Sequence, residues 1–343
     1  MSARRALAAL HVVATPDGAG VDWDETLALR HRIWDLGLGV AEAMDTAQRG
    51  MGLSWPLAAE LIRRCGKDFA ARTERGAGLV AGAGTDQLDP ASRPGLPEVL
   101  AAYREQLALV EDTGATAVVM ASRALAVAAR GPEDYLQVYG DVLAEAAGPV
   151  ILHWLGPMFD PALTGYWGST DLDVAASTVL ELIRAHADRI DGIKVSLLDA
   201  QREIALRAAL PPGVRLYTGD DFHYPELILG DGAHHSDALL GILDAIARPA
   251  AEALARLESG DTQGFLDVLA PTVPLARHIF AAPTYHYKTG LAFLSWLNGE
   301  QSRFVLLDGL ERARDKGYLA RLVELAEQAG VLTDPERARE YLA

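Results

Sequence analysis

Short apolar runs of strand length recur along the chain, separated by longer stretches in which apolar positions repeat with helical spacing. The runs cover residues 10–14, 38–44, 78–84, 115–121, 149–154, 190–196 and 214–218, with a weaker one at 233–236. Near-continuous apolar strands alternating with helices predict a parallel sheet covered on both faces. Successive starts lie about 20 to 45 residues apart, as βα units require. Eight such units predict an α/β fold closed as a (β/α)8 TIM barrel rather than an open sheet. Pro211-Pro212-Gly213 stops a helix before the seventh strand, and Gly114 and Gly148 stand at helix C-termini. After residue 240 the pattern is helical throughout, over 241–258, 262–281, 284–298, 302–328 and 335–342. The expected organisation is therefore a barrel catalytic domain at 1–260 and a helical C-terminal extension at 261–343 packed on it.

Composition narrows the class of function. Half of the 343 residues are hydrophobic and 23% are charged, which fits an ordered globular chain. Asp and Glu number 47 against 31 Lys and Arg, for a formal charge of −16, which argues against nucleic acid and anionic lipid as partners. The single cysteine, Cys65, excludes an internal disulfide and a thiolate zinc cluster and fits a reducing compartment. The opening residues carry two arginines and an apolar run that stops at Thr15-Pro16. This reads as a first strand with a basic lead-in, not as a signal peptide. No run reaches the ~20 apolar residues of a membrane span, so a cytoplasmic protein is expected. The aromatic stretch Thr284-Tyr285-His286-Tyr287-Lys288 opens a helix expected to pack on the barrel or on another subunit, and a homo-oligomer, dimer or tetramer, is expected.

In a barrel of this kind chemistry sits at the C-terminal ends of the strands. That rule selects Glu42, Asp45 and Thr46 after strand two, Gly82 to Asp86 after three, Ser122 and Arg123 after four, and His153 at five. It adds Lys194 and Ser196 at six, Tyr217 to Asp221 at seven, and His234 to Asp237 at eight. Lysine occurs only at positions 67, 194, 288 and 316, so each one is informative. Lys194 lies inside an apolar strand, where burial disfavours its charged form, and a neutral amine is a nucleophile toward carbonyl groups. The plainer reading is a strand-end lysine paired with a carboxylate. His153 is either a proton-transfer group or a satisfied core histidine. Gly82-x-Gly84 reads as a tight turn more readily than as a phosphate cradle, and residues 219–221 read as a turn carrying two carboxylates.

Pro149-Val150-Ile151-Leu152-His153, followed about forty residues later by Asp191-Gly192-Ile193-Lys194, resembles the dihydrodipicolinate synthase/N-acetylneuraminate lyase family. Val80-Ala81-Gly82-Ala83-Gly84 looks like that family's third-strand glycine segment, and Thr218-Gly219-Asp220-Asp221 like its seventh-strand turn. The resemblance covers roughly residues 7–300 and is nearest to a divergent branch of unknown function. It implies a (β/α)8 barrel of class I aldolase type in which Lys194 forms a Schiff base with a keto substrate. Three segments depart from the family pattern. The tyrosine ending strand five is His153 here, followed by Trp154. The Gly-Thr-Thr-Gly-Glu turn appears as Asp45-Thr46-Ala47-Gln48-Arg49, and the strand-four tyrosine region reads Ala121-Ser122-Arg123. An ionised Asp45 repels a carboxylate whereas Arg49 or Arg123 attracts one. The Schiff base is therefore carried over, and dihydrodipicolinate synthesis is not.

The expected activity is that of a Schiff-base lyase or dehydratase acting on a small hydroxylated keto compound, a sugar derivative or keto acid, without a cofactor. Lys194 is the nucleophile and His153 the acid/base, its ordinary pKa lying near 6.5. Thr46 and Ser196 relay protons or hold hydroxyls, and Asp45, Ser122, Tyr217 and Asp221 complete the substrate pocket. Two other readings stand beside this one. The first is a sugar isomerase or epimerase with a divalent metal on Glu42, His153, Asp221 and His235. The second is a barrel that binds sugar acids without converting them.

Overall fold

The computed structural model describes residues 4–342. Among them eight strands close a barrel in sequence order: β1 (Ala6–Ala9), β2 (Gly39–Glu42), β3 (Leu79–Ala83), β4 (Thr116–Val119), β5 (Val150–Leu155), β6 (Ile190–Ser196), β7 (Arg215–Thr218) and β8 (Asp237–Leu240). Every neighbouring pair is parallel, and β8 returns to β1 through Ala6–Ala238 and Leu7–Leu239. The helices are α1 (Trp23–Asp35), α2 (Trp55–Ala71), α3 (Leu96–Asp112), α4 (Arg123–Ala128), α5 (Pro132–Glu145), α6 (Leu172–Ala185), α7 (Ala200–Ala209), α8 (Tyr224–Leu229), α9 (Ala247–Glu258), α10 (Thr262–Leu269), α11 (Val273–Ile279), α12 (Tyr287–Leu297), α13 (Lys316–Gln328) and α14 (Pro335–Leu342). No single helix among the described residues is long and apolar enough to cross a membrane.

Two apolar layers follow from strand alternation. Ile193, Val195, Leu152 and Trp154 point outward into the large core shared with the helices. Leu7, Ala9, Ala41, Met44, Val80, Val118, Met120, Ile151, Tyr217 and Leu239 fill the barrel itself. The same alternation on β6 turns Gly192, Lys194 and Ser196 inward. Gly192 is required there, because a Cβ would lie 2.6 Å from Arg215 O and 2.8 Å from the Tyr217 ring. Gly219, one step past β7, serves Lys194 in the same way: a Cβ would collide with Ser196 Oγ and come within 3.0 Å of Lys194 Cε.

β2 to β7 lie within the segments the pattern predicted, apart from Leu155, which extends β5 by one residue, and β6 matches its segment at both ends. The first and eighth do not. β1 occupies residues 6–9, and the expected run at 10–14 continues beyond it as buried extended chain at the C-terminal end of the barrel. Apolar residues run from Ala6 to Leu10 and resume at Val12 after His11, which left the ends of this strand unmarked. β8 occupies 237–240 rather than 233–236, so His234, His235, Ser236 and Asp237 lie at its start and not at its catalytic end. Asp231 accepts the His234 N–H at 2.7 Å, and this turn replaces the expected strand. The helix expected over 302–328 begins only at Lys316, after a turn in which Asp308 and Gly309 adopt positive φ.

Candidate active site

The C-terminal end of the barrel gathers an unusual set of buried charges. Lys194 is 4% exposed, and it forms no hydrogen bond and no ion pair among the described residues. Burial lowers its pKa, opposed by the nearby carboxyls of Asp45 and Asp221. On the adjoining strand, in register with Lys194, stands His153, fully buried. Its Nε2 lies 3.2 Å from Ser196 Oγ, and its Nδ1 has no partner among the described residues. Burial, and then the neighbouring Lys194, push its pKa well below 6.5. His153 is thus a neutral imidazole at physiological pH. The expectation that it titrates near its ordinary value is corrected: it can accept a proton or a hydrogen bond, but it does not arrive as an acid.

The loop after β2 places Asp45 and Thr46 over this layer, turning through the left-handed residues Ala43 (φ 50°) and Gln48 (φ 66°). The side-chain amide of Gln48 pins the loop by donating to Met51 O and Leu307 O, both at 3.2 Å. Burial alone would raise the pKa of Asp45, but Lys194 and Lys288, together with a Tyr287 hydrogen bond, outweigh it and keep the carboxyl ionised. Asp221 behaves in the opposite way. Burial pushes it up to about 8, against a hydrogen bond at 2.8 Å from Ile242 N–H and the nearby Lys194. It is therefore a neutral carboxylic acid at pH 7. Next to it, Asp220 accepts from the backbone N–H groups of Phe222 and His223 and makes the turn.

Two residues of this site come from a helix the sequence assigned only to packing. Tyr287, at the start of α12, is buried; it donates to Asp45 Oδ2 at 2.7 Å and lies 2.7 Å from Thr46 Oγ1. A phenol has one proton, so Thr46 is the donor in the second contact and the three residues form a directed chain, Thr46 to Tyr287 to Asp45. Lys288 follows, 2% exposed, its pKa lowered to about 8 by burial, against Asp45 and Asp160. The rarity of lysine was the signal that pointed to it: Lys67 and Lys316 are exposed, and the other two, Lys194 and Lys288, are buried at one end of the barrel.

A cavity of about 220 Å³ opens beside this layer, over the ends of β2 to β5. Asp45 and Lys288 line it with Met51, Thr85, Ser122, Arg123, Leu155, Phe159 and Asp160, so Asp45 faces Lys194 on one side and the cavity on the other. Ser122 caps α4 by accepting the Leu125 N–H at 2.9 Å and shares a 2.5 Å hydrogen bond with Thr85. Both arginines expected to attract a carboxylate already have a carboxylate of the protein as partner, Arg123 through its Nε alone. Arg49 is held by Asp86, Gln106 and the Gly82 carbonyl, and Arg123 by Asp160 at 2.5 Å. Gly82-x-Gly84 is a close-packing turn whose Gly84 N–H goes to Gln106 at 2.7 Å.

Tyr217 is not a pocket residue. Its ring fills the barrel, and its hydroxyl donates to Asp191 at 2.5 Å and accepts from Arg5 at 2.9 Å at the opposite end. The metal set is dispersed as well. Glu42 is a bidentate partner of buried Arg30, at 2.8 and 2.9 Å, and His235 precedes β8 at the far end of the barrel from His153 and Asp221. No group of three or more His, Cys, Asp or Glu side chains among the described residues is arranged to hold a metal ion.

A family model described as "Protein of unknown function (DUF993)" matches residues 1–343. No curated protein matches the chain. Solved structures of similar fold include a Pseudomonas aeruginosa protein provisionally described as a dihydrodipicolinate synthetase (19% identity, TM-score 0.74, covering 96% of this chain and 100% of that one). A second is the chloride-inhibited dihydrodipicolinate synthase of Acinetobacter baumannii complexed with pyruvate (19%, 0.71, 96% and 100%). A third is an E. coli K12 prophage protein of the dihydrodipicolinic acid synthase family, also in complex with pyruvate (16%, 0.74, 96% and 99%).

Proposed function

The chain belongs to the DUF993 family and has the barrel fold of the dihydrodipicolinate synthase proteins, and from that premise we propose that it is a class I lyase whose Lys194 forms an imine with a small hydroxylated ketone. One observation carries the reading: a buried amine without an ion-pair partner among the described residues, set among groups that hold and accept protons. Two neighbours of the same fold were solved with pyruvate, which supports a carbonyl compound as the ligand.

Lys194 Nζ attacks the carbonyl carbon, and the carbinolamine then loses water. Asp221, kept protonated by burial, supplies the proton that lets hydroxide leave as water. The resulting iminium withdraws electrons from the adjacent bond. When a base removes the proton of the β-hydroxyl, the C–C bond breaks, its electron pair forms an enamine and an aldehyde departs. Neutral His153 is suited to take that proton. His153, protonated in that step, returns the proton to the enamine carbon, and water then hydrolyses the iminium, the proton released going back to Asp221, while Thr46 and Tyr287 hold Asp45 in place beside the amine.

Borohydride reduction in the presence of keto sugars or pyruvate should fix one adduct per chain on Lys194, found by peptide mass mapping, and Lys194→Met should abolish it. Labelling confined to Lys67, Lys288 or Lys316, with Lys194 unmodified, overturns the assignment.

A further inference from the structure

Three cations line the cavity, and two of them are already neutralised. Arg49 is paired with Asp86, and Arg123 with Asp160. Lys288 is different. Its Nζ reaches only the Met51 thioether at 3.4 Å and the Tyr285 carbonyl at 3.3 Å, with the Tyr287 ring centroid 4.8 Å away, and it forms no ion pair among the described residues. The two carboxylates that act on it are engaged elsewhere: Asp45 takes the Tyr287 proton on Oδ2, and Asp160 is paired with Arg123. A cation taken out of water without a counter-ion is costly. An anion entering the cavity offsets that cost, which neutral ligands do not.

We propose that Lys288 is an anion subsite, supplied by α12 rather than by a strand end, and that the ligand of this cavity is a small polyol compound bearing a carboxylate or phosphate. The hydroxyls of Thr85 and Ser122 and the apolar side chains of Met51, Leu155 and Phe159 provide the rest of a site for a hydroxylated chain. In the lyase reading, on which the word substrate rests, that anion belongs to the reacting ketone. It meets the protein at Lys288 and not at the residue 45–49 turn, where ionised Asp45 opposes it.

Three matched six-carbon probes without a ketone test the subsite by titration calorimetry: D-gluconate, sorbitol 6-phosphate and sorbitol. One or both anions should bind the wild-type protein at least about tenfold more tightly than sorbitol, as expected for a charge-assisted contact, and the tighter one tells carboxylate from phosphate. Lys288→Met should remove that advantage, Lys288→Arg should restore part of it, and Lys194→Met should leave it in place. Equal binding of all three probes, no binding of either anion, or unchanged anion affinity in a folded Lys288→Met variant overturns the subsite. These titrations involve no imine, so a failure of borohydride trapping at Lys194 removes the lyase reading and leaves the subsite standing.

Discussion

The two ends of the barrel carry similar residues and use them differently. At the N-terminal end, Arg5, Asp191, Arg215, Tyr217 and Asp237 form a closed network: Tyr217 bridges Arg5 and Asp191, and Arg215 reaches Asp237 at 2.8 Å and Asp191 at 3.7 Å. At the C-terminal end, Lys194, Lys288 and Asp221 are buried and Asp45 is half-buried, yet no ion pair forms among them. A paired layer satisfies its charges and seals the barrel floor. An unpaired layer leaves the pKa values of its amines and acids displaced, the state from which nucleophiles and proton donors work. Composition is alike at the two ends, and the pairing separates structure from chemistry.

The contrast is broken most strongly by His153→Phe. Phenylalanine keeps a flat ring, though a larger one, and His153 is neutral, so folding should persist while turnover falls by the ~10²–10⁴ expected for a lost proton-transfer group. Steady-state kinetics on whichever keto compound is trapped at Lys194 makes the comparison. Turnover within about twofold of wild type would return His153 to the core.

The sequence showed more of this arrangement at β6 than elsewhere, for a physical reason. Gly192-Ile193-Lys194-Val195-Ser196 alternates small or polar residues with branched apolar ones, and only one face of that pattern can point into a barrel. At β1 every residue from Ala6 to Leu10 is apolar, so nothing in the chain marks its ends. At β8 the polar residues 234–237 resembled a catalytic strand end and proved to be the approach to the strand and its first residue. Tyr217 is misleading for another reason: its position on β7 is inward, but a side chain of its length reaches back to the floor. Tyr287 and Lys288 were hidden because α12 is buried along most of its length, and helical periodicity shows that a residue is buried without showing what it faces.

Asp221→Asn sharpens the comparison through pH. In the unfolded chain this carboxyl titrates near 3.9, and in the fold burial raises it to about 8. Between those values the folded protein holds a proton the unfolded chain has lost, so stability falls as pH rises and the cost is complete above about 8. Asparagine keeps an oxygen for the Ile242 N–H and cannot ionise. The variant should therefore gain on wild type steadily from pH 5 to pH 8, by a difference on the order of 3 kcal/mol at the upper end. Denaturant midpoints at four pH values read this directly. A difference that is constant, or that shrinks as pH rises, would mean that Asp221 is ionised in the fold.

Asp237→Asn asks the same question of the floor and should give a smaller answer of opposite sign. Asp237 Oδ1 accepts the Arg5 N–H at 2.9 Å and Oδ2 accepts from Arg215. Asparagine retains the first contact and turns an NH2 group toward the guanidinium, so a donor meets a donor. Arg215 is half exposed and can swing into water, which limits the loss to about 1 kcal/mol. The melting temperature should fall by roughly 2–4 °C, and kcat/KM should stay within about twofold, because the apolar layer of Leu7, Ala9, Met44, Val118 and Ile151 stands between the floor and the mouth. A large drop in turnover with little change in melting temperature would show that the paired end takes part in the chemistry and that pairing does not divide the two ends.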